Sequence, residues 1–492
     1  MAVAPADLAI LLAYLVGVVL FGLWAGRGAK NLVEYLVGGR NLPWWVILAS
    51  IVATETSTVT FLSIPGFAYG RDLTWLQIAL GFVVGRLAVA ALFLPHYFRG
   101  GVMTAYEVLR DRFGGAVQRT ASALFLLTRT LADGLRLFLS ALVLQEMTGL
   151  ELPWAVAALG LATIAYTYTG GLTAVLWTDL VQFVVYLAGG VAAFAVVLAR
   201  LPGGWDGLVA MGGAAGKLRV FDLGLDPSEP YGLWAGLLGG VFVSLGSHGV
   251  DHMEVQRYLS ARSLRDARKA LSLSGLVIFA QFALFLLIGV GLWAFYTLAP
   301  PAEAFGRDDR VFARFILDEL PTGLVGLLLG AIFAAAMSTL SSSLNSCASV
   351  AANDILFPLA RRELSERTRL RATRWLTAAF GALQVAVGIG GRRLDASVVA
   401  AVLGIAGFTI GIVLGLFFLG IFTRRVGQRA ALAGLVAGLA GMSWIYFATP
   451  LAWTWFALAG STMTFAAGWA ASWLWPRRDG APARAAGAAL PG

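Results

Sequence analysis

Charge is scarce in this chain. Of 492 residues only 13% are Asp, Glu, Lys or Arg, while 59% are hydrophobic. Soluble domains typically run about 25% charged and about 45–50% apolar. The deficit excludes an ordinary soluble domain and points to an all-α protein that crosses a membrane many times. Cysteine is nearly absent: Cys347 stands alone, which excludes an internal disulfide. Histidine is limited to His96, His248 and His252, without zinc-ligand spacing. No GxxxxGKS/T run occurs, so the sequence carries no phosphate loop. The N-terminus, MAVAPADLAI, lacks the basic region of a signal peptide, and the first apolar segment reads as a retained helix. The net charge of +9 reads as an excess of Lys and Arg in cytoplasmic loops, not as a nucleic-acid footprint.

What is present is apolar length. A membrane span needs about 20 mostly apolar residues. Thirteen segments qualify: 6–26, 44–68, 74–96, 118–147, 153–170, 174–199, 231–252, 270–296, 322–352, 372–391, 396–421, 429–448 and 452–475. Only a Gly-Gly turn at Gly170-Gly171 separates the fifth from the sixth. With the N-terminus outside, the inner connections hold 24 Lys and Arg (Arg257 among them) and the outer connections 9. That bias orients the chain N-out and C-in. The tail from 477 reads as a disordered cytoplasmic segment.

Two apolar segments are interrupted. The second holds TETSTVTFLSIPG (54–66), and the seventh holds GGVFVSLGSHGVDH with glycines at 239, 240, 246 and 249. They lie five spans apart, so spans two to six and seven to eleven read as two halves of opposite topology. Interrupted helices in corresponding positions of two halves are the best sequence pointer to a transporter's binding site. Span nine adds hydroxyls on small-residue faces: Ser338, Ser341 and Ser342 follow i, i+3, i+4, and so do Ala335, Ser338 and Thr339. Such a face packs helices closely, and it also offers neutral oxygens to a hard cation of low charge.

These stretches, with EYLVGGRNLPWW (34–45), YTGGLTAVLWTDLVQ (168–182), DHMEVQRYLSARSLRDARKA (251–270) and AAAMSTLSSSLNSCASVAANDI (334–355), resemble the sodium/solute symporter family. That family includes sodium–glucose, sodium–proline and sodium–sialic acid transporters. The resemblance spans roughly residues 30–425 in the family's order. It implies a leucine-transporter-like core of two inverted five-helix repeats and sodium-driven uptake by alternating access. Aligned on the motifs, the main sodium site falls on Ala53, Thr56, Ala335, Ser338 and Thr339. Thr339 departs from the commoner Ser but keeps a hydroxyl. A second sodium held by some members would fall on Asp179, Ser338, Ser341 and Ser342.

The expected organisation is a first helix and loop (1–43), a first repeat (44–199), an extracellular loop (200–230), a second repeat (231–421), two C-terminal helices (422–476) and the tail (477–492). The expected partners are sodium, a small solute and the bilayer of a bacterial inner membrane, with no nucleic acid and no obligatory protein partner. No enzyme constellation stands out.

Five ionisable residues lie within spans two to four: Glu55, Arg86, Arg129, Asp133 and Arg136. Ionisable residues in spans are costly and usually functional. With Thr60, a turn or so beyond Glu55, they are the candidates to meet the solute. Three positive charges face two negative ones, so one arginine is left without a carboxylate. It either receives an anionic solute or binds helix-end carbonyls. A carboxylate-bearing solute is slightly favoured over a sugar. The alternatives are a proton-coupled or uncoupled transporter on the same fold, with Glu55 or Asp133 carrying the proton, and a transporter-like sensor.

Overall fold

The computed structural model describes residues 3–301, 305–360 and 362–477. Arg361 and most of the expected tail, 478–492, therefore lie outside the described residues. Among the described residues the elements are helical, and the β pairings are two isolated bridges, Leu42–Ala261 and Val426–Pro476.

Helices occupy every expected apolar segment. They are α1 (Pro5–Ala25), α2 (Trp44–Glu55), α3 (Thr58–Gly70), α4 (Leu76–Leu92), α5 (Gly115–Thr148), α6 (Leu152–Arg200), α7 (Gly240–Gly249) and α8 (His252–Leu259). There follow α9 (Leu264–Leu298), α10 (Leu324–Val350), α11 (Glu366–Gly390), α12 (Ala396–Phe422), α13 (Gln428–Ala448) and α14 (Phe456–Leu474). By length and apolarity, 7 of the described helices can cross a membrane unaided, or 8 if the bent pair α2–α3 is one span. Thirteen is not reached on that measure, for physical reasons. Helix α5 carries Arg119, Arg129, Asp133 and Arg136, α11 opens on ERTRLRATR, and α7 is only 10 residues long.

The surface explains where the apolar composition goes. On α1 the exposed residues Leu8, Leu12, Val16, Leu20 and Trp24 recur every fourth position, a stripe that suits lipid and not water. Trp469, Trp473 and Trp475 are exposed at the end of α14, where indole rings sit well at a membrane–water boundary. Helix α10 is the opposite case. Apart from Leu324 and Leu327 all its residues are buried, and it packs on α6, α1, α11 and α5.

Helix α6 runs for 49 residues in one assignment. Drawn straight it would be about 74 Å long, against about 30 Å of hydrocarbon. It folds back at Gly171 (φ 55°, ψ −147°), the turn expected at Gly170-Gly171. Tyr166 and Thr178, about 18 Å apart on a straight helix, both come within 2.9 Å of where a Cβ on Gly22 would stand. An alanine at 171 would place its Cβ 2.3 Å from the Tyr35 carbonyl oxygen. Gly171→Ala is expected to cost about 2–4 kcal/mol, from backbone strain and overpacking together. A thermal unfolding midpoint equal to that of the native protein would contradict this.

Both interrupted segments are broken helices, but not where proline stands. The first break is at Thr56 (φ −88°, ψ 95°) and Ser57 (φ −84°, ψ 166°), and the two halves are bent by 60°. Hydroxyls make this break. Thr56 Oγ1 donates to the Val52 carbonyl at 3.0 Å, and Ser57 Oγ accepts the Thr60 N–H at 3.2 Å, capping α3. Pro65 lies inside α3, and Gly66 lets the Asp308 carbonyl approach. The second break is at Val250 (φ −134°, ψ −14°) and Asp251 (φ −73°, ψ 120°), where the Asp251 carboxylate caps α8 by accepting from Met253 N at 2.9 Å.

Candidate functional site

The end of α2 leaves carbonyls without helical partners. The hydroxyl face of α10 is laid against them. Ser338 Oγ donates to Ala53 O at 2.9 Å and to Ala335 O at 3.2 Å. Thr339 Oγ1 donates to Thr54 O at 3.2 Å and to Ala335 O at 3.3 Å. Four of the five expected main-site residues therefore meet: Ala53, Ala335, Ser338 and Thr339. Thr56 sits at the break itself. Its side chain accepts from Gln281 Nε2 at 2.6 Å, and Gln281 accepts from Tyr186 at 3.0 Å. Gln281 lies on α9, more than 200 residues away, and nothing in its local sequence marks it. Neutral carbonyl and hydroxyl oxygens beside an unwound turn suit a hard monovalent cation, which would take the oxygens now satisfied by the hydroxyl protons.

Of the four residues expected for a second ion, two, Ser338 and Ser341, are linked directly by a hydrogen bond. Asp179 and Ser342 meet through Thr54, whose Oγ1 is 3.4 Å from Asp179 Oδ2 and 3.2 Å from Ser342 Oγ. Ser338 belongs to the Ala53 cluster, and Ser341 Oγ donates to Ser338 O at 3.1 Å within α10. Two residues missed in the sequence complete the Asp179 cluster. Ser50 Oγ donates to Asp179 Oδ2 at 2.5 Å, and the Arg257 guanidinium reaches Ser50, Thr54 and Ser342. Ser50 was legible as the residue one turn before Thr54. The loop count places Arg257 among the cytoplasmic charges, yet it is fully buried.

The charge count also changes. Glu55 pairs with Arg86, which is fully buried, and its Oε2 stands 3.8 Å from His248 Nε2. Asp133 binds Arg136 at 2.6 Å and lies 3.6 Å from Arg129. Arg129 pairs in addition with Asp251, the carboxylate at the second break. The arginine left over in the sequence count therefore has a partner, supplied by the other half of the chain. Thr60 Oγ1 lies 3.0 Å from Ser57 Oγ and belongs to the cap of α3.

Arg136 is 38% exposed and lines a cavity with Ser57, Asp133, Ser140, Ala335 and Thr339. This cavity touches the hydroxyl cluster of α10 directly. A second cavity, walled by Phe125, Arg129, Asp251 and Thr409, also reaches Arg136. Glu55 and Arg86 line neither. Removing the Glu55 charge would leave the Arg86 guanidinium buried and uncompensated, with its Nε and Nη1 already lacking hydrogen-bond partners. Glu55→Gln is expected to destabilise by about 2–4 kcal/mol, and the added change Arg86→Met to restore most of that. Unchanged stability with abolished uptake would instead make Glu55 a solute contact.

Two matched broken helices packed on a buried hydroxyl-bearing helix define an ion-coupled secondary transporter. The chain belongs to the sodium:solute symporter family, whose family model matches residues 35–438. It is therefore an integral membrane transporter coupled to sodium, and not an enzyme. It is 31% identical to the human sodium/iodide cotransporter over 86% of this chain and 67% of that protein. It is 30% identical to the sodium-coupled monocarboxylate transporter 1 of Xenopus laevis over 86% of this chain and 68% of that one. The sodium/sialic acid symporter NanT of Aliivibrio fischeri is 29% identical over 93% and 91%. Among solved structures, a Na+-coupled sialic acid symporter in a substrate-bound outward-open state, reported with a novel Na+ site, superposes with a TM-score of 0.88. It is 26% identical over 96% of this chain and 98% of that one. Mhp1, a nucleobase-cation-symport-1 transporter, shares the fold alone, with a TM-score of 0.58 and 15% identity over 91% and 95%.

Proposed function

We propose that the protein imports a small anionic, carboxylate-bearing solute together with sodium, by alternating access of two inverted five-helix repeats. In this reading thirteen spans cross a bacterial inner membrane, N-terminus outside and C-terminus inside, with repeats at 44–199 and 231–421 and no obligatory protein partner. Sodium is held by Ala53, Thr56, Ala335, Ser338 and Thr339, and it joins the broken α2–α3 to α10. Asp179 and Ser342, with Ser338 and Ser341 nearby on α10, are the residues for a second ion.

The observation that supports the solute assignment is the polar lining shared by Arg136, Ser57 and the Ala335–Thr339 face; the cavity itself is about 10 Å³, room for about one water, so the solute enters only as this space widens in the transport cycle. Arg136 keeps donors beyond its one bond to Asp133, and a guanidinium fork matches a carboxylate. The capped N-terminus of α3, at Ser57, adds the positive end of a helix dipole. Asp133 and Arg129 hold Arg136 in place, while Glu55, Arg86 and Thr60 shape the break. Relatives named for iodide, monocarboxylates and sialic acid, anions all, support the same class.

The test is a thermal-shift screen of lactate, pyruvate, iodide, sialic acid, proline and glucose, each in sodium and in choline. Stabilisation by a carboxylate in sodium only is expected, because coupled ligands enhance each other's binding. Stabilisation by glucose alone would overturn the anionic assignment.

A further inference from the structure

Arg257 lies where an ion would be expected. It stands on α8, just past the second break, and is fully buried. Its Nε donates to Ser50 Oγ at 2.9 Å, its Nη2 donates to Thr54 Oγ1 and Ser342 Oγ, and its Nη1 to the Met253 carbonyl. Nη2 is 3.6 Å from Asp179 Oδ2, and Nη1 is 4.0 Å from Glu254 Oε2. The Asp179 carboxylate and three hydroxyls, drawn from α2, α6 and α10, thus surround the guanidinium, with the Glu254 carboxylate of its own helix at 4.0 Å. Asp179 Oδ1 and Glu254 Oε2 are buried and have no hydrogen-bond partner among the described residues. A structural ion pair would use these oxygens; here acceptor capacity is left over beside the guanidinium.

We propose that Arg257 is a tethered cation that competes with a second sodium ion for the Asp179–Ser342 oxygen cluster. The inference rests on the sodium-symport reading. Two cations within contact distance of one carboxylate repel strongly in a buried site. Sodium therefore enters only as the guanidinium withdraws; Arg257 and the other residues of α8 are all buried, so its withdrawal is expected to move α8 with it. Occupation of this site is thereby tied to the position of the second broken helix. The main site, built on Ala53 and Ser338, has no such competitor among the described residues. Arg257 is a positioning residue in this scheme, acting on the ion through the site that it fills.

Sodium binding decides this, measured with radioactive sodium on purified protein and by sodium-titrated thermal shift. The variants are Arg257→Gln, Arg257→Met, Arg257→Lys, and Arg257→Gln combined with Asp179→Asn. Arg257→Gln is expected to bind one more sodium than the native protein, or to bind its second at least about tenfold more tightly. Asp179→Asn should then cancel that gain. Sodium binding to Arg257→Gln that is equal to the native protein's, or weaker, overturns the proposal. If Arg257→Gln does not yield monodisperse protein, Arg257→Met decides by the same reading, because it too removes the charge, whereas Arg257→Lys keeps the charge and is expected to bind sodium as the native protein does. Native protein that binds no sodium, beside an Arg257→Gln variant that binds one, would uphold the competition and overturn the symport reading. No sodium in either would overturn both.

Discussion

Replacing Ser338 and Thr339 together by alanine is expected to raise the sodium concentration for half-maximal uptake by at least about 100-fold. Both hydroxyls stand on carbonyls at the end of α2 and on Ala335 O, at 2.9–3.3 Å. A contact to a charged group contributes about 1.5–3 kcal/mol, so losing two ligands of one ion removes about 3–6 kcal/mol, before any rearrangement. The fold should survive, since alanine fits a small-residue helix face and leaves the donors' former acceptors near an accessible cavity. Thr339→Ser keeps the hydroxyl and is expected to behave within about threefold of the native protein. Uptake in proteoliposomes over a range of sodium concentrations reads all three. Sodium dependence undiminished in the double variant would remove this cluster from the mechanism.

Arg136→Ala is expected to raise KM for the solute by about 30–100-fold, with Arg136→Lys in between. A charge-assisted pair of hydrogen bonds is worth more than this when fully buried, but Arg136 is 38% exposed and is screened in part. Stability should change little. Asp133, which loses its 2.6 Å partner, still has Arg129 at 3.6 Å. Sodium affinity measured without solute should also be unchanged, which separates loss of solute contact from damage to the ion site. An unaltered KM with lowered stability would assign Arg136 a purely structural role.

How much of this could be read from the chain follows from the range of each interaction. The interruptions in 54–66 and 239–252 are local, since they arise from hydroxyl, Gly and Asp residues competing for their own backbone, and both are breaks. Within 54–66 the break is made by the side-chain bonds of Thr56 and Ser57, while Pro65-Gly66 lies inside α3. The fold-back at Gly171 is legible because only glycine adopts its backbone angles freely. The hydroxyl ladder is legible as spacing, but its partners are not. Ser338 and Ala53 are 285 residues apart, and Arg257 is 207 from Ser50. Counting basic residues by loop put Arg257 at the cytoplasmic face, because a count sees charge and not the carboxylate opposite. Asp251 is hidden for a related reason: in sequence it stands at the end of an apolar span, and only the fold brings it to Arg129.

The central claim is that a sodium gradient drives solute entry, and sodium-dependent accumulation in proteoliposomes tests it most directly. With pH held equal on both sides, an inward sodium gradient is expected to concentrate the solute above its external level, and an equal choline gradient to leave it at equilibrium. Accumulation that persists in choline when an inward proton gradient is imposed would contradict the account.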